Sequence, residues 1–416
     1  LQVKTTVIGA GVVGLSCGFE LSQLDHYVTV IDAGAVGAGA SAGNAGWVTP
    51  FLCTPRAAPG TVADALRSFA SRQGPARVRP HLELGFAAWV VQFLRASTTR
   101  RNASGTAALQ QLSRRVHWSF DRLEERGVSF ERHTDGLAVV FKEATNLARY
   151  EQLVPHMRAL GYVGDAQVYR GPDAAAFDPA IRSDVAGMLH LRTERHVRPE
   201  TLTQGLAKSL QANGGRVIEH EAVQDIGTGE RWVVRTDSGR EVVSDNVVLA
   251  AGYRTRRLLA PLGVSVPIEV AKGTSMTATG EGTAPSQPLK LYEKMIACSP
   301  FHNAVRLSGT YDLGARNKIV NSKRLDMVVR QGLSYLQSWR PTNIEAKWVG
   351  HRPTTVDDLP VVGPVPGKAG LYLATGHGTL GVTLGPITGA LAAYEIAHGD
   401  EEPLLKPFRL TRFRRA

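Results

Sequence analysis

The stretch TTVIGAGVVGLSCGFELSQLDHYVTVID, Thr5 to Asp32, decides how the rest of the chain is read. Thr6 to Ile8 is apolar or β-branched and predicts a buried strand. Gly9-Ala10-Gly11-Val12-Val13-Gly14 interrupts it, a helical pattern runs to about Gln23, and Tyr27 to Ile31 predicts a second strand that ends at Asp32. In that order of strand, glycine turn, helix and strand, a GxGxxG turn has a chemical meaning. Gly9 permits the tight turn, Gly11 lets the backbone approach a pyrophosphate, and Gly14 lets the helix pack on the strand. The helix start at Val12 and Val13 offers N–H groups and a positive dipole end to phosphates. Asp32 falls about twenty residues after the glycines, where an acid accepts hydrogen bonds from an adenosine ribose and repels a 2′-phosphate, which argues against NADP.

With 416 residues the chain is too long for one ordinary core and suggests two domains. A hydrophobic content of 43% fits a soluble globular protein, and no run approaches the roughly eighteen apolar residues of a membrane span. The first strand starts so early that no room remains for a signal peptide, so the expected location is cytoplasmic. Cys17, Cys53 and Cys298 are widely spaced and form neither a disulfide framework nor a zinc motif; Cys17 reads as core. The formal charge of +11 gathers in two places, Arg67 to Arg101 (with Arg72, Arg77, Arg79, Arg95 and Arg100) and the tail Lys406 to Ala416. Neither contains a nucleic-acid module, so both read as solvated basic surface. Between the arginines, Leu84 to Leu94 (LGFAAWVVQFL) is apolar enough to lie on a membrane surface and equally able to pack on the protein body; packing is the expectation.

Further along, Ala33 to Gly46 is a loop of small residues, followed by Pro50, Pro55 and Pro59. Helical patterns reach about Arg126. Gly136 to Phe141 predicts a strand, Ala144 to Leu160 and Pro199 to Asn213 predict helices, and Arg216 to His220 predicts a strand after Gly214-Gly215. Arg231 to Thr236 and Glu241 to Ser244 predict a hairpin, Asn246 to Ala250 a buried strand, and Lys323 to Trp339 one long helix. A last glycine-rich segment runs from Gly350 to Gly389, and no internal repeat is present.

The motifs Gly9-x-Gly11-x-x-Gly14 with Asp32, Ser41-Ala-Gly-Asn44-Ala45-Gly46 with Pro50, Val248-Leu-Ala-Ala251-Gly252, Gly350-His-Arg352-Pro353-x-Thr-x-Asp357 with Pro360-Val-Val-Gly363, and Gly376-His377-Gly378-Thr379-Leu380-Gly381 follow one another along the chain. In that order they resemble the signature of the FAD-dependent D-amino-acid oxidase superfamily, and within it most nearly the bacterial D-amino-acid dehydrogenases. The resemblance implies an α/β fold: a Rossmann-like FAD-binding domain of the glutathione-reductase type (1–80, 186–255 and 346–416) with an inserted α+β substrate domain (81–185 and 256–345).

Each motif also has a physical reading. A strand ending in Ala250-Ala251-Gly252 lets the chain pass close beneath a nucleotide. Ser41 and Asn44 put hydrogen-bonding side chains in a loop of small residues. The segment at Gly376 to Gly381 opens a helix whose first N–H groups lack intrahelical partners. By resemblance this helix start, with the amides of Thr379, Leu380 and Gly381, faces the flavin where negative charge gathers, and His377 makes flavin contact only.

A guanidinium grips a carboxylate with two parallel hydrogen bonds, and the resemblance places Arg352 at the family's carboxylate-binding arginine; its ordinary alternative is an ion pair with Asp357 or Asp358. Tyr292 is the candidate for the family's active-site tyrosine, with Lys294 the alternative occupant of that place. Arg306 has a family counterpart and is equally readable as structural. Gly309 and Thr310 fit a strand end near the flavin, with Asp312 in place of the usual Glu.

The implied reaction oxidises the Cα–N bond of a D-amino acid or related secondary amine by hydride transfer to flavin N5, giving an imine that hydrolyses to a 2-oxo acid, with a quinone, a carrier or oxygen as electron acceptor. Three rival readings stay open: a glycine- or sarcosine-type oxidase using oxygen, a flavin-binding electron-transfer subunit without its own substrate, and an NAD-dependent dehydrogenase that uses the first fingerprint alone.

Overall fold

The computed structural model describes residues 2–60, 74–79 and 83–413. Arg67, Arg72, Arg414 and Arg415, counted above in the two basic clusters, lie outside the described residues. Among those described, two large sheets and two small ones organise the chain.

The first is a six-stranded sheet in the order Arg216–Ile218, His26–Ile31, Val3–Ile8, Asn246–Leu249, Leu371–Thr375 and Val361–Pro364. Its first five strands are parallel and the last is antiparallel. The apolar runs that predicted the strands within Val3–Ile8, His26–Ile31 and Asn246–Leu249 are what burial on both faces demands. The helix Val12–Ser22 lies on one face against Pro199–Ala212 and Gly381–His398, around a core that includes Leu15, Phe19, Val28, Leu206 and Ile387. A three-stranded antiparallel sheet, Val223–Gly227, Trp232–Thr236 and Glu241–Ser244, contains the predicted hairpin.

The second large sheet runs Arg340–Thr355, Ile268–Glu281, Ala304–Leu313, Ile296–Phe301, Leu289–Leu291, Leu137–Phe141, Gly187–Leu191 and Ala166–Arg170, with Ala76–Val78 paired to Ala304–Leu313. Its membership moves the domain borders read from sequence. Ala76–Val78 and Gly187–Leu191 belong to this sheet rather than to the nucleotide-binding segments, and the border at 345/346 falls inside the strand Arg340–Thr355. A strand this long crosses from one domain to the other, so no linker composition marks the change.

The long helix expected from Lys323 to Trp339 stops at Leu333. Beyond it the backbone finds other partners: Arg182 N–H donates to Tyr335 O and Gln337 N–H to Ala180 O, while Tyr335, Leu336 and Trp339 are buried in the second core. Tertiary pairing overrides a periodicity that continues past the helix end. Helix Leu84–Ala96 buries Phe86, Trp89 and Ala96, as packing predicts, and leaves Leu84, Val91 and Leu94 exposed. No helix among the described residues is long and apolar enough to cross a membrane. All three cysteines are free and buried.

Candidate active site

A cavity of about 880 Å³ opens where the carboxyl ends of Val3–Ile8, His26–Ile31, Asn246–Leu249 and Leu371–Thr375 meet the edge of the second sheet. Nucleotide sites in parallel sheets lie at this end of the strands. Gly9, Gly11, Val12, Val13, Gly14, Asp32, Ser41, Asn44, Ala251, Gly252, Gly376, His377, Gly378 and Gly381 all line it.

The three fingerprint glycines differ in what confines them. Gly9 has φ +114°, and a Cβ there would stand 2.5 Å from Ala250 O. A Cβ on Gly14 would fall 1.9 Å from Gly9 O, so the helix touches its own strand at that point. Gly11 meets only Ser41 Oγ, at 3.2 Å, and otherwise faces the open cavity. One glycine is therefore left clear by the protein itself, as a pyrophosphate approaching the helix start would require. Asp32 accepts from Ala10 N–H at 2.7 Å and Gly34 N–H at 2.8 Å, which fixes its carboxylate at the cavity wall with lone pairs to spare for ribose hydroxyls. Ala222, Val223 and Gln224 complete this end. Their place beside Asp32 follows from the bond of Asp32 N–H to Ile218 O and of Glu221 N–H to Asp32 O, which no local motif announces. These residues fit a flavin adenine dinucleotide in size, backbone donors and ribose acceptor.

The loop side chains serve the loop. Ser41 Oγ accepts from Val12 N–H at 3.0 Å and Asn44 Oδ1 from Gly46 N–H at 2.9 Å, so both are engaged with the chain itself. Ala45 and Gly46 do not line the cavity: Ala45 O accepts from Ser299 Oγ, and a Cβ on Gly46 would meet Val197 O at 2.0 Å. They bind the loop to its neighbouring strands. At the far end, Gly381–His398 starts beside the cavity with no side-chain cap, and Gly376 and Gly378 take positive φ to turn the chain into it. Thr379 and Leu380 stay off the wall, Leu380 being buried in the first core. His377 is also buried, its Nε2 3.0 Å from Thr388 Oγ1, and burial pulls its imidazole down to about 3. It is a neutral packed histidine.

Arg352 lies next to the cavity, between the lining residues His351 and Pro353, with its guanidinium over Gly273 of the neighbouring strand. Its Nη1 donates to Thr310 O at 3.0 Å, and the guanidinium carbon is 5.9 Å from the centre of the Tyr311 ring. No carboxylate pairs with it among the described residues. Asp357 is held by Arg412 at 2.8 Å, and Asp358 accepts from Arg56 N–H at 2.7 Å, so the expected competitors are committed elsewhere. Burial, with the Arg56 charge nearby, pulls Arg352 down to about 10. It stays cationic at neutral pH. Thr310, whose carbonyl it meets, has φ +63°, a conformation that a threonine rarely takes and that aims this carbonyl at the arginine.

The other substrate candidates part from Arg352. Tyr292 packs among Phe141 and Tyr150, at ring-centre distances of 5.1 and 5.0 Å, and Lys294 ends the same short turn. That turn follows Leu289–Leu291, four strands across the sheet from Arg340–Thr355, roughly 19 Å at ordinary strand spacing. The Tyr292 ring is committed to this aromatic group, and neither Tyr292 nor Lys294 lines the cavity. Arg306 is fully committed: Nε to Thr277 Oγ1 at 2.8 Å, Nη1 to Asn44 O at 2.7 Å and Nη2 to Glu200 Oε1 at 2.5 Å. Asp312 pairs with Arg324 at 2.5 Å. Sequence reading missed Tyr311, the aromatic residue that does stand beside Arg352; its place directly after Thr310 was the available signal.

A model of the family described as FAD dependent oxidoreductase matches residues 4–395. Among curated proteins, the chain is 29% identical to a D-amino acid dehydrogenase of a Methylobacterium species, covering 100% of both chains, and 24% identical to one of Helicobacter pylori, covering 97% of each. Among solved structures, glycine oxidase of Geobacillus kaustophilus superposes with a TM-score of 0.75 at 21% identity, over 99% of this chain and 100% of that one. L-amino acid deaminase of Proteus vulgaris gives 0.75 at 16% identity, over 99% and 97%.

Proposed function

The chain belongs to the family of FAD-dependent oxidoreductases, and from that premise we propose that it oxidises the Cα–N bond of a free amino acid, of D configuration where Cα is chiral. The observation that carries the reading is Arg352: a half-buried arginine beside the cavity with a carbonyl and an aromatic ring for company and, among the described residues, no paired carboxylate. A cation drawn partly out of water without a counter-ion costs free energy that a ligand carboxylate can offset. The substrate carboxylate supplies it, and two parallel hydrogen bonds to the guanidinium would fix both its position and its rotation. The names of the curated relatives support the D configuration.

FAD held in the cavity would accept a hydride from the substrate's Cα–H at its N5 atom. The chain's own residues do the rest. Arg352 orients Cα by gripping the carboxylate, and its positive charge disfavours an ammonium beside it, so the substrate amine sits there neutral with its lone pair available to Cα. No side-chain base is then needed. The uncapped N-terminus of Gly381–His398 points amide donors and a positive dipole end at the cavity, where they stabilise negative charge arriving there. The resulting imine hydrolyses to a 2-oxo acid. The enzyme would work in the cytoplasm and pass its electrons to a quinone, a carrier or oxygen.

The test is anaerobic bleaching of the flavin against a panel of D-, L- and N-alkyl amino acids and glycine, followed by air. Bleaching by one or more D-amino acids, with their L-enantiomers inert, is expected. Indifference of the flavin to the whole panel would overturn the proposal, and reduction by glycine or sarcosine alone would move the substrate to that class.

A further inference from the structure

A group of side chains that the oxidation does not use gathers where the small sheet of Trp47–Val48, Arg195–Val197 and Arg132–His133 meets the hairpin of the substrate domain. Glu131 and His133 flank Arg132 at the sheet edge, and His302 occupies the turn between Ile296–Phe301 and Ala304–Leu313. His133 Nε2 is 2.8 Å from Glu131 Oε1, and His302 Nδ1 is 3.8 Å from Glu131 Oε2. One ligand atom from each residue lies within 4.8 Å of the other two. The His133 and His302 ring centres are 5.0 Å apart. Behind them His196 stacks on His133 at 4.3 Å, with its Nε2 fixed by Pro300 O at 2.7 Å, so His133 is held from the rear while its Nε2 meets the carboxylate.

We propose that Glu131, His133 and His302 form a binding site for one divalent transition-metal ion, zinc by preference. Two imidazole nitrogens and one carboxylate oxygen are a zinc donor set, and the open side at the exposed His302 leaves the fourth tetrahedral position to water. Bonds of about 2.0–2.2 Å place tetrahedral ligand atoms roughly 3.3 Å apart; His133 Nε2 now stands 2.8 Å from one Glu131 oxygen, His302 Nδ1 stands 3.8 Å from the other, and one ligand atom from each residue lies within 4.8 Å of the other two. Closing the site asks for movement mainly of His302, whose side chain is 69% exposed. The adverse charge is Arg198, 3.9 Å from Glu131 Oε2, and it already has Glu345 at 3.6 Å as a second partner. Arg306, the other nearby cation, is held by Glu200.

The ion would brace a junction that matters to the cofactor loop. The hairpin carrying His302 also carries Ser299, bonded to Trp47 Nε1 at 2.9 Å and Ala45 O at 2.8 Å, and Arg306, bonded to Asn44 O. Tying the hairpin to the small sheet would hold that loop against the substrate domain. The ion touches no reacting atom, so its role is structural.

The experiment uses the FAD-loaded full chain, cleared of metal with a chelator, incubated with zinc sulfate and passed through a desalting column. Retention of about one zinc per chain is expected, with a zinc-edge absorption spectrum showing two imidazoles and a melting temperature raised by the metal. His133→Ala and His302→Gln should each weaken zinc binding at least about tenfold, while His398→Ala, at the remote end of Gly381–His398, should leave it unchanged. His302→Gln keeps the backbone bond from residue 302 N–H to Glu131 Oε1 at 2.8 Å, so that variant tests the ligand without loosening the turn. Zinc that washes off the parent protein, or that binds His302→Gln as tightly as the parent, overturns the site.

Discussion

Arg306 and Arg352 flank the same strand, Ile268–Glu281, one on each neighbour, paired in register with Thr277 and Ala271. Arg306 is buried and Arg352 half-buried, and withdrawal from water lowers the pKa of each. Arg306 spends its donors on a hydroxyl, a carbonyl and a carboxylate of its own chain. Arg352 spends one on a carbonyl. The first is a bolt between the substrate sheet and the Asn44 loop; the second keeps its charge available. The substrate role proposed for Arg352, and not for Arg306, thus rests on the inventory of partners around each.

The largest effect expected from that contrast is on stability. Arg306→Ala removes three hydrogen bonds and leaves Glu200 without its cation. Glu200 is partly exposed and can be resolvated, so a loss of about 2–4 kcal/mol is expected in chemical denaturation. Release of the Asn44 loop should lower flavin content as well. Arg352→Ala should do the reverse: near-parental melting and flavin content, with flavin reduction by substrate at least about tenfold less efficient, because a charged hydrogen bond is worth roughly 1.5–3 kcal/mol. Arg352→Lys keeps the charge without the paired planar donors and should fall between. If the two arginines exchange phenotypes, the roles assigned to them are wrong.

A smaller effect follows from the Arg352 pKa near 10. Carboxylate binding needs the protonated guanidinium, so reduction efficiency should rise as the substrate amine deprotonates and then decline as pH climbs through about 10. In Arg352→Ala that upper decline should vanish. The sign for stability is opposite. From about 10 up to the ordinary arginine range the folded state binds fewer protons at this group than the unfolded chain, so its contribution to stability improves with pH across that window. An upper limb of equal position in Arg352→Ala would assign it to another group.

The two halves of the site were unequally legible in the sequence. At the cofactor end the chemistry resides in backbone that local residues dictate: Gly9, Gly11 and Gly14 within six positions, Asp32 at the next strand end, and Gly376 to Gly381 at a helix start. At the substrate end it depends on which strands become neighbours. Resemblance puts Tyr292 at the substrate, yet Leu289–Leu291 pairs with Leu137–Phe141 and the tyrosine ring packs on Phe141. Ser41 and Asn44 were recognisable as loop residues, but whether their side chains face a ligand or their own backbone is a matter of loop geometry. The meeting of Glu131 and His133 with His302, 171 residues from Glu131 along the chain, had no local signal at all.

The smallest expected effect extends the comparison of partnered and unpartnered residues to helix Leu84–Ala96. Its inner side is engaged: Trp89 is buried and its Nε1 donates to Pro267 O at 3.1 Å. Its outer side presents Leu84 at 91% exposure, Val91 at 45% and Leu94 at 41%, with Arg95 beside them and Arg100 and Arg101 just beyond. Trp89→Ala should cost about 3 kcal/mol or more, whereas Val91→Ser or Leu94→Ser should stay within about 0.5 kcal/mol, as for surface positions generally. The outer face then has one further reading to exclude. If it rests on a lipid surface, the parent protein should co-sediment with anionic vesicles, Val91→Ser with Leu94→Ser should weaken that binding, and high salt should only partly release the protein, because apolar insertion is not screened as the arginine attraction is. If the double variant binds vesicles as the parent does and salt releases both completely, the contact is the basic surface alone and the apolar face has no part in it.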